Sequence, residues 1–242
     1  MKNFIFYLGD RLYRAFPAVY VPLYSAYKRY SDVAAIQLIG ANVRPGAKVI
    51  DIGANIGFYS RLLYEMVGSA GHVFAFEPEP RNYTMLRKRV TGLSNVTTIN
   101  GAIGRQSGLA KLFISPDLNV DHHTYDDGTG RAVTDIRTYA IDEYFKDHGP
   151  IDFIKMDIQG HEYQALLGAR EMLAAATGPK LFMEFWPYGI SRAGDDPREL
   201  LQLLADCGYG MQIVATGALE DIDAVVDDPS YYVNIFASKG GS

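Results

Sequence analysis

The sequence has few of the features that mark secreted, fibrous or membrane-spanning proteins. Its single cysteine, Cys207, permits neither an intrachain disulfide nor a multi-cysteine zinc site. No apolar run approaches the roughly 20 residues of a membrane-spanning helix. Charged residues make up only 21% of the chain and the mean hydropathy is −0.05, which excludes a disordered polar chain, a collagen-like repeat and a coiled coil. These absences indicate a globular protein of a reducing compartment, and we expect a cytoplasmic location.

The charge balance also limits the partners to be expected. The net charge is −5 at pH 7 and the pI is about 5.5. Nucleic-acid binding depends on Lys and Arg contacts to phosphate, so an acidic chain argues against a nucleic-acid partner. Hydrophobic residues make up 48% of the 242 residues, enough for the core of one large α/β domain.

Residues 1–30 differ from the rest of the chain. Five basic residues against one acid give this stretch a charge of +4 and leave −9 for the remainder. The same stretch holds nine aromatic residues, which could line a pocket, a partner surface or a membrane interface. The simplest interpretation is a helix packed on the core. We therefore separate an aromatic and basic helical segment, residues 1–40, from a main domain at 41–238.

The main domain alternates between short apolar strands and helices. Five runs are typical of buried parallel strands: Lys48–Ile52, His72–Phe76, Val96–Asn100, Ile151–Met156 and Lys180–Phe185. Helical patterns lie between or after them at Phe58–Val67, Arg81–Val90, Tyr163–Ala176 and Arg198–Cys207. Two last strands, Gly210–Ala215 and Tyr231–Ala237, predict an antiparallel hairpin. The pattern predicts an α/β fold with a mostly parallel sheet.

The first strand leads into a glycine turn that is typical of nucleotide-type ligand sites. Asp51 ends the buried run, and the small residues Gly53 and Gly57 allow a ligand to approach backbone N–H groups. The dinucleotide fingerprint G-x-G-x-x-G is not matched, because Asn55 and Phe58 stand at its second and third glycine positions. The turn therefore favours a ligand with a cationic amino-acid tail, such as S-adenosylmethionine, over a nicotinamide dinucleotide.

The second strand ends in an acid that is placed to bind a ribose. Glu77 follows Asp51 by 26 residues, a position from which a carboxylate can accept hydrogen bonds from both ribose hydroxyls. A solvated acid before a proline-led helix is the alternative. The preceding glycine turn favours ligand binding.

Five motifs occur in register along residues 45–190. They are DIGANIG at 51–57, FEP at 76–78, NGAIG at 100–104, KMDIQGHE at 155–162 and ME at 183–184. Together they resemble the FkbM family of S-adenosylmethionine-dependent methyltransferases. The resemblance implies the class I methyltransferase fold, a Rossmann-like, seven-stranded, mostly parallel sheet with helices on both faces and an antiparallel last strand. It also implies O-methylation of a hydroxyl on a sugar, a polyketide or a related natural product. The residues then expected to bind the cofactor are Asp51, Gly53, Asn55, Gly57, Glu77 and Ala102.

Candidate catalytic and acceptor-binding residues follow the fourth and fifth strands and lie in one loop. We predict that Asp157 and His161 remove the proton of the acceptor hydroxyl and that His122 orients the acceptor. His123, Glu184 and Trp186 are predicted to bind the acceptor. The alternatives are a turn-forming Asp157, a solvated loop around the two histidines and a core tryptophan.

Lys155 is not expected to bind a ligand, because it lies inside a buried-type strand. We expect it to pair with an acid near the end of the sheet. Mg²⁺, Mn²⁺ or Zn²⁺ would suit the same acids and histidines, but no metal site is predicted.

Two other classes of function remain open from the sequence. One is a non-catalytic S-adenosylmethionine-binding module that acts through its N-terminal segment, and the other is an NAD-dependent reductase. The expected partner is a small-molecule or glycan acceptor, without nucleic acid and without stable membrane insertion. We expect the N-terminal segment to fold over the acceptor side of the sheet or to form a homo-oligomer contact, with membrane docking the less favoured alternative.

Overall fold

The structure is a computed structural model that describes residues 13, 15–115, 128, 130–214, 225 and 227–240. Its strands are β1 Lys48–Ile52, β2 His72–Phe76, β3 Val96–Ile99, β4 Ala102–Ile103, β5 Gly108–Ile114, β6 Ala132–Tyr139, β7 Phe153–Met156, β8 Lys180–Phe185, β9 Tyr209–Ile213 and β10 Val233–Lys239. Its helices are α1 Pro17–Ser31, α2 Val33–Asn42, α3 Phe58–Val67, α4 Pro80–Arg89, α5 Ile141–Phe145, α6 Glu162–Leu167, α7 Arg170–Ala174, α8 Pro187–Arg192 and α9 Pro197–Asp206.

Seven of these strands form one central sheet in the order β3-β2-β1-β7-β8-β10-β9. The first five strands of that order pair in parallel, whereas β10 is antiparallel to both β8 and β9. This is the class I methyltransferase arrangement, and it confirms the predicted fold class and the antiparallel last strand. β1 and β7 are neighbours although they are far apart in sequence, so the order of the strands reverses between them. In open α/β sheets, ligands bind outside the carboxyl ends of the strands at such a reversal.

Helices cover both faces of the sheet. Ile50 and Ile154 point into a core cluster shared with α5, α6, α7 and α9. Val49 and Phe153 lie on the opposite face, against α2 and α3. Because both faces are buried, these strands are continuously apolar. The sequence pattern therefore located β1, β2 and β8 at their observed bounds.

The helix predicted at Tyr163–Ala176 is wrong in one respect, because the chain breaks it into α6 and α7. Gly168 lies at the break, where a Cβ atom would come within 2.2 Å of the Gly104 carbonyl oxygen. The Asp142 carboxylate then accepts hydrogen bonds from the backbone N–H groups of Glu171 and Met172, at 2.8 and 2.9 Å. These N–H groups lie in the first turn of α7, so Asp142 caps this helix. Close packing and this cap separate a run of good helix formers into two short helices.

A small second sheet, ordered β4-β6-β5, follows β3 in the chain. β5 pairs antiparallel with β6 over the full length of β5, and β4 pairs with β6 in parallel. The loop residues His122 and His123 lie outside the described residues.

Helix α1 packs against α3 and α4. Arg89 Nη2 on α4 donates a hydrogen bond to Ser25 Oγ on α1 at 2.8 Å. Tyr13, just before α1, donates its hydroxyl to Asn82 Oδ1 on α4 at 2.6 Å. The N-terminal segment is therefore held beside the two helices that follow β1 and β2.

Candidate functional site

A cleft of about 550 Å³ opens at the carboxyl ends of β1, β2, β7 and β8. Eight residues predicted from the sequence line it: Gly53, Asn55, Glu77, Ala102, Asp157, His161, Glu184 and Trp186. Two predicted cofactor residues, Asp51 and Gly57, lie outside this lining. The topology thus brings together residues from five separate stretches of the chain. Asp51 is buried beneath the turn, and Gly57 faces Leu86 of α4.

The glycine turn after β1 is packed tightly against the end of β7. Gly53 has φ +73°, and a Cβ atom there would lie 1.9 Å from the backbone oxygen of Asp157. Only glycine fits this conformation and this close approach. The N–H groups of Gly53 and Ala54 both donate to the Phe76 carbonyl, at 3.1 and 2.9 Å, which fixes the turn to β2.

Glu77 holds the same turn from the end of β2. Its Oε2 accepts the N–H of Asn55 at 2.7 Å, and its Oε1 accepts the N–H of Glu79 at 3.0 Å. Burial raises the pKa of Glu77 to about 7, although the two N–H donors favour the ionised form and oppose this rise. The carboxylate is therefore buried, oriented and poised to change its charge near neutral pH.

A buried ion pair lies beneath the turn. Lys155 Nζ lies 3.3 Å from Asp51 Oδ1, and both side chains are almost completely buried. Ser60 donates its hydroxyl to Asp51 Oδ2 at 2.6 Å, and Lys155 Nζ donates to the Gly53 carbonyl at 3.1 Å. Burial alone would lower the pKa of Lys155, but the neighbouring carboxylates, Asp51 first, raise it. The predicted pairing of Lys155 with an acid is confirmed, and the observed contacts of Asp51 are to the protein itself.

Two carboxylates meet on the other side of the cleft. Gln159 Nε2 donates to Asp157 Oδ1 at 3.0 Å and to Glu184 Oε2 at 3.1 Å, so one amide joins the ends of β7 and β8. Burial, reinforced by the charge of Asp157, raises the pKa of Glu184 well above its ordinary value. Glu184 is thereby favoured in its protonated form beside a carboxylate.

The turn that carries Asp157 is held by Glu162. Glu162 Oε1 accepts the N–H of Ile158 at 3.0 Å, and burial raises the pKa of this carboxyl to about 7. Gly160 has φ +94°, and a Cβ atom there would lie 2.5 Å from the backbone of Gly189. The motif KMDIQGHE therefore encodes a close-packed turn that orients Asp157 and its neighbours.

His161 begins the helix after this turn and lines the cleft. Burial lowers its pKa to about 4, so the imidazole is neutral at neutral pH. Its Nδ1 atom is buried and has no hydrogen-bond partner among the described residues. A neutral imidazole with a free ring nitrogen can accept a proton.

Several residues that line the cleft were not predicted from the sequence. Helix α1 contributes Tyr24, Tyr27 and Lys28. Helix α3 contributes Tyr59, and the stretch before β10 contributes Tyr232. The aromatic density of residues 1–30 was the available signal for the first three. Gln159 lies within a quoted motif, but its type alone does not reveal that it bridges two acids.

Comparison with known families decides the assignment. The family model described as the methyltransferase FkbM domain matches residues 51–211, about two thirds of the chain. The chain belongs to the FkbM methyltransferase family. Its methyl donor is accordingly S-adenosylmethionine, and the matched span contains both the glycine turn and the acid pair.

Curated relatives and solved structures that resemble the FkbM chain include several methyltransferases. A protein-L-isoaspartate O-methyltransferase from Ignicoccus hospitalis is 32% identical over 71 residues, which are 28% of this chain and 34% of that protein. The match thus spans about a third of that curated relative. A candidate rRNA-methylase from Clostridium thermocellum aligns with a TM-score of 0.51 and 17% identity, covering 85% of this chain and 95% of the other. A precorrin-6y C5,15-methyltransferase from Geobacter metallireducens aligns with a TM-score of 0.51 and 13% identity, covering 86% and 88%.

The residues of the FkbM chain fit the family's cofactor. The cleft volume of about 550 Å³ lies within the roughly 300–1,000 Å³ of small-molecule sites. At Gly53 the turn leaves no room for a side chain, and Glu77 supplies an oriented acceptor at the end of β2. For a metal, no group of three or more His, Cys, Asp or Glu is arranged as a ligand set within the described residues. Across those same residues, no helix is long and apolar enough to cross a membrane.

Proposed function

We propose that this chain transfers the methyl group of S-adenosylmethionine to a hydroxyl group of a small natural product or a sugar. The observation that carries the proposal is the shared cleft, which joins the glycine turn to Asp157, Glu184 and the neutral His161. A protein that only binds the cofactor has no need of such a group of polar side chains beside the cofactor turn. The side of the cleft that holds Asp157, Glu184 and His161 suits an acceptor that must lose a proton.

Each residue has a role in the proposal. Gly53 and Asn55 hold the amino-acid tail of the cofactor, and Glu77 accepts the ribose hydroxyls. The cofactor supplies a methyl group that its sulfonium already activates, so the protein has to place the acceptor in line and remove its proton. Asp157 and His161 take that proton, and Glu184 forms a hydrogen bond with a neighbouring polar group of the acceptor.

Three more residues complete the proposed site. His122 orients the acceptor, and His123 and Trp186 bind it. Trp186 lines the cleft and its Nε1 donates to the Pro229 carbonyl at 3.2 Å, so its ring is fixed where an acceptor ring can stack on it. RNA is a less suitable acceptor, because the chain carries a net charge of −5 and the acceptor side of the cleft is acidic.

The catalytic roles are tested by Asp157→Asn and His161→Ala. We expect each variant to lose roughly 10²–10⁴-fold in kcat with the true acceptor, which is the usual contribution of a positioned acid or base. Affinity for S-adenosylmethionine, measured by calorimetry, should remain near that of the wild type. Methyl transfer from labelled cofactor to fractionated small molecules identifies the acceptor for these assays.

The outcomes separate the alternatives. Near-wild-type turnover of both variants would remove Asp157 and His161 from catalysis. Cofactor binding without methyl transfer to any acceptor fraction would support the non-catalytic module instead. The proposed route needs no metal, so we expect activity to persist after exhaustive treatment with a chelator; loss of activity that added Mg²⁺ or Mn²⁺ restores would contradict this.

A further inference from the structure

Helix α1 presents an exposed apolar face that the fold does not use. Phe16, just before the helix, and Val19, Leu23, Tyr27 and Tyr30 within it are between 51% and 85% exposed. Their spacing of three or four residues places them along one side of the helix. All exposed residues described between positions 15 and 27 are apolar or aromatic: Ala15, Phe16, Ala18, Val19, Pro22, Leu23, Ala26 and Tyr27.

The opposite side of α1 is what attaches it to the protein. Tyr13 and Tyr20 are buried in a cluster with Ile56 of the glycine turn. Tyr20 stacks on Tyr24 with ring centroids 5.5 Å apart. The helix is therefore secured through its inner side, and its outer apolar side is free to contact something else.

The charges along this stretch indicate what that partner is. From Arg11 to Ser31 the sequence contains four basic residues, Arg11, Arg14, Lys28 and Arg29, and no acid. Lys28 pairs with Asp32 directly after α1, and Arg29 Nη2 lies 3.9 Å from Glu65 Oε2 on α3 while its side chain stays 58% exposed. Residues 1–30 as a whole still carry a charge of +4. A second copy of the same helix would bring these cations together, which opposes self-association. An anionic lipid surface provides an apolar interior for the exposed face of α1 and negatively charged headgroups for the cations.

We propose that α1 docks this protein peripherally on an anionic lipid surface, with its apolar face in the interface and the +4 charge of residues 1–30 supplying the attraction to the headgroups. The remainder of the chain carries −9 and is repelled by such a surface, so the contact is confined to α1. Tyr27 belongs to the exposed face and also lines the cleft. Docking therefore places the opening of the cleft beside the lipid. The docking is independent of the proposed reaction.

The test is co-sedimentation of the full chain with two kinds of vesicle, phosphatidylcholine alone and phosphatidylcholine mixed with phosphatidylglycerol. We expect binding to the mixed vesicles that weakens with added salt. Leu23→Glu should weaken this binding by at least about tenfold, since a buried leucine contributes that factor or more. Arg29→Gln should weaken it by about fivefold on mixed vesicles and leave any binding to phosphatidylcholine unchanged.

Leu109→Glu is the matched control. Leu109 is an exposed leucine on β5, 81% exposed and outside α1, so the same change there should leave vesicle binding as in the wild type. Equal cofactor affinity and equal melting temperature in both variants show that each is folded. The proposal is overturned if the wild type does not bind mixed vesicles, if Leu109→Glu weakens binding as much as Leu23→Glu, or if light scattering shows a dimer that Leu23→Glu dissociates.

Discussion

At the scale of single residues, Glu77 performs two tasks with one carboxylate. It fixes the glycine turn through the N–H of Asn55 and faces the cleft where a ribose is expected. With a pKa raised by burial to about 7, it is partly protonated at neutral pH in the ligand-free protein. The ionised form is the stronger acceptor at both oxygens, so a ligand that donates hydrogen bonds to Glu77 favours release of its proton.

We therefore predict that affinity for S-adenosylmethionine depends on pH. It should be constant well above the pKa of Glu77, about 7, and fall below it by up to about tenfold per pH unit, because protons then compete with the bound state. Calorimetry on the wild type and on Glu77→Gln measures this. The variant should bind more weakly by roughly 1.5–3 kcal/mol and lose the pH dependence. A wild-type affinity that is flat between pH 5 and 9 would show that Glu77 does not bind the ribose.

At the scale of elements, α1 forms part of the wall of the cleft as well as an outer surface. Tyr24, Tyr27 and Lys28 line the cleft, whereas Tyr30, one turn further on, does not. Burial raises the pKa of the Tyr24 hydroxyl above its ordinary value, with a smaller effect from the charge of Asp157. The helix therefore borders the side of the cleft that holds Asp157.

The pair Tyr27 and Tyr30 allows this role to be tested. We expect Tyr27→Ala to raise KM for the acceptor by about two- to thirteenfold, because an aromatic ring contact contributes roughly 0.5–1.5 kcal/mol. The cofactor affinity should not change. Tyr30→Ala, which removes a more exposed ring outside the cleft (85% against 59% for Tyr27), should leave KM as it was. Identical KM values for the two variants would exclude α1 from acceptor binding.

The helices and strands also show which features could be predicted from the sequence and which could not. Strands buried on both faces were located from their apolar runs, and the acid after β2 was found through its spacing from Asp51. The split of the helix after β7 was missed, because it depends on the close approach of Gly168 to Gly104 across the fold. The aromatic density of residues 1–30 indicated a pocket wall, a partner surface or a membrane interface, but the individual residues Tyr24 and Lys28 could not be named, because which residues line the cleft depends on where α1 packs.

At the scale of the whole molecule, the central sheet consists of two parts that meet between β1 and β7. Asp51 and Lys155 are register partners on these two strands, and their buried ion pair spans the junction. A charge left alone at this position would be almost fully removed from water. Breaking a buried pair by removing one partner typically costs about 3–5 kcal/mol.

Lys155→Met should accordingly lower the free energy of unfolding by about 3–5 kcal/mol, as measured by urea denaturation. The double variant Asp51→Asn/Lys155→Met should recover most of this loss, because no unpaired charge remains and Asn can still accept the Ser60 hydroxyl. Lys111→Met, at an exposed lysine of β5, is the control and should change stability by less than about 0.5 kcal/mol. Equal losses in the single and double variants would show that the ion pair itself is not what stabilises the junction.

Two residues of the cleft adopt a backbone conformation that glycine would adopt without strain. Asn55 has φ +51° and Gln159 has φ +56°, and they are the non-glycine residues with positive φ in the described part of the chain. Each conformation costs on the order of 1 kcal/mol, yet each residue contributes an amide side chain that glycine lacks. The Asn55 amide oxygen accepts the N–H of Ile56 at 2.6 Å, and the Gln159 amide joins two acids. In evolutionary terms, glycine would relieve the strain at both positions, so strain alone gives no reason to keep an amide there. Homologues that retain Asn and Gln at these positions are therefore the ones expected to retain the activity.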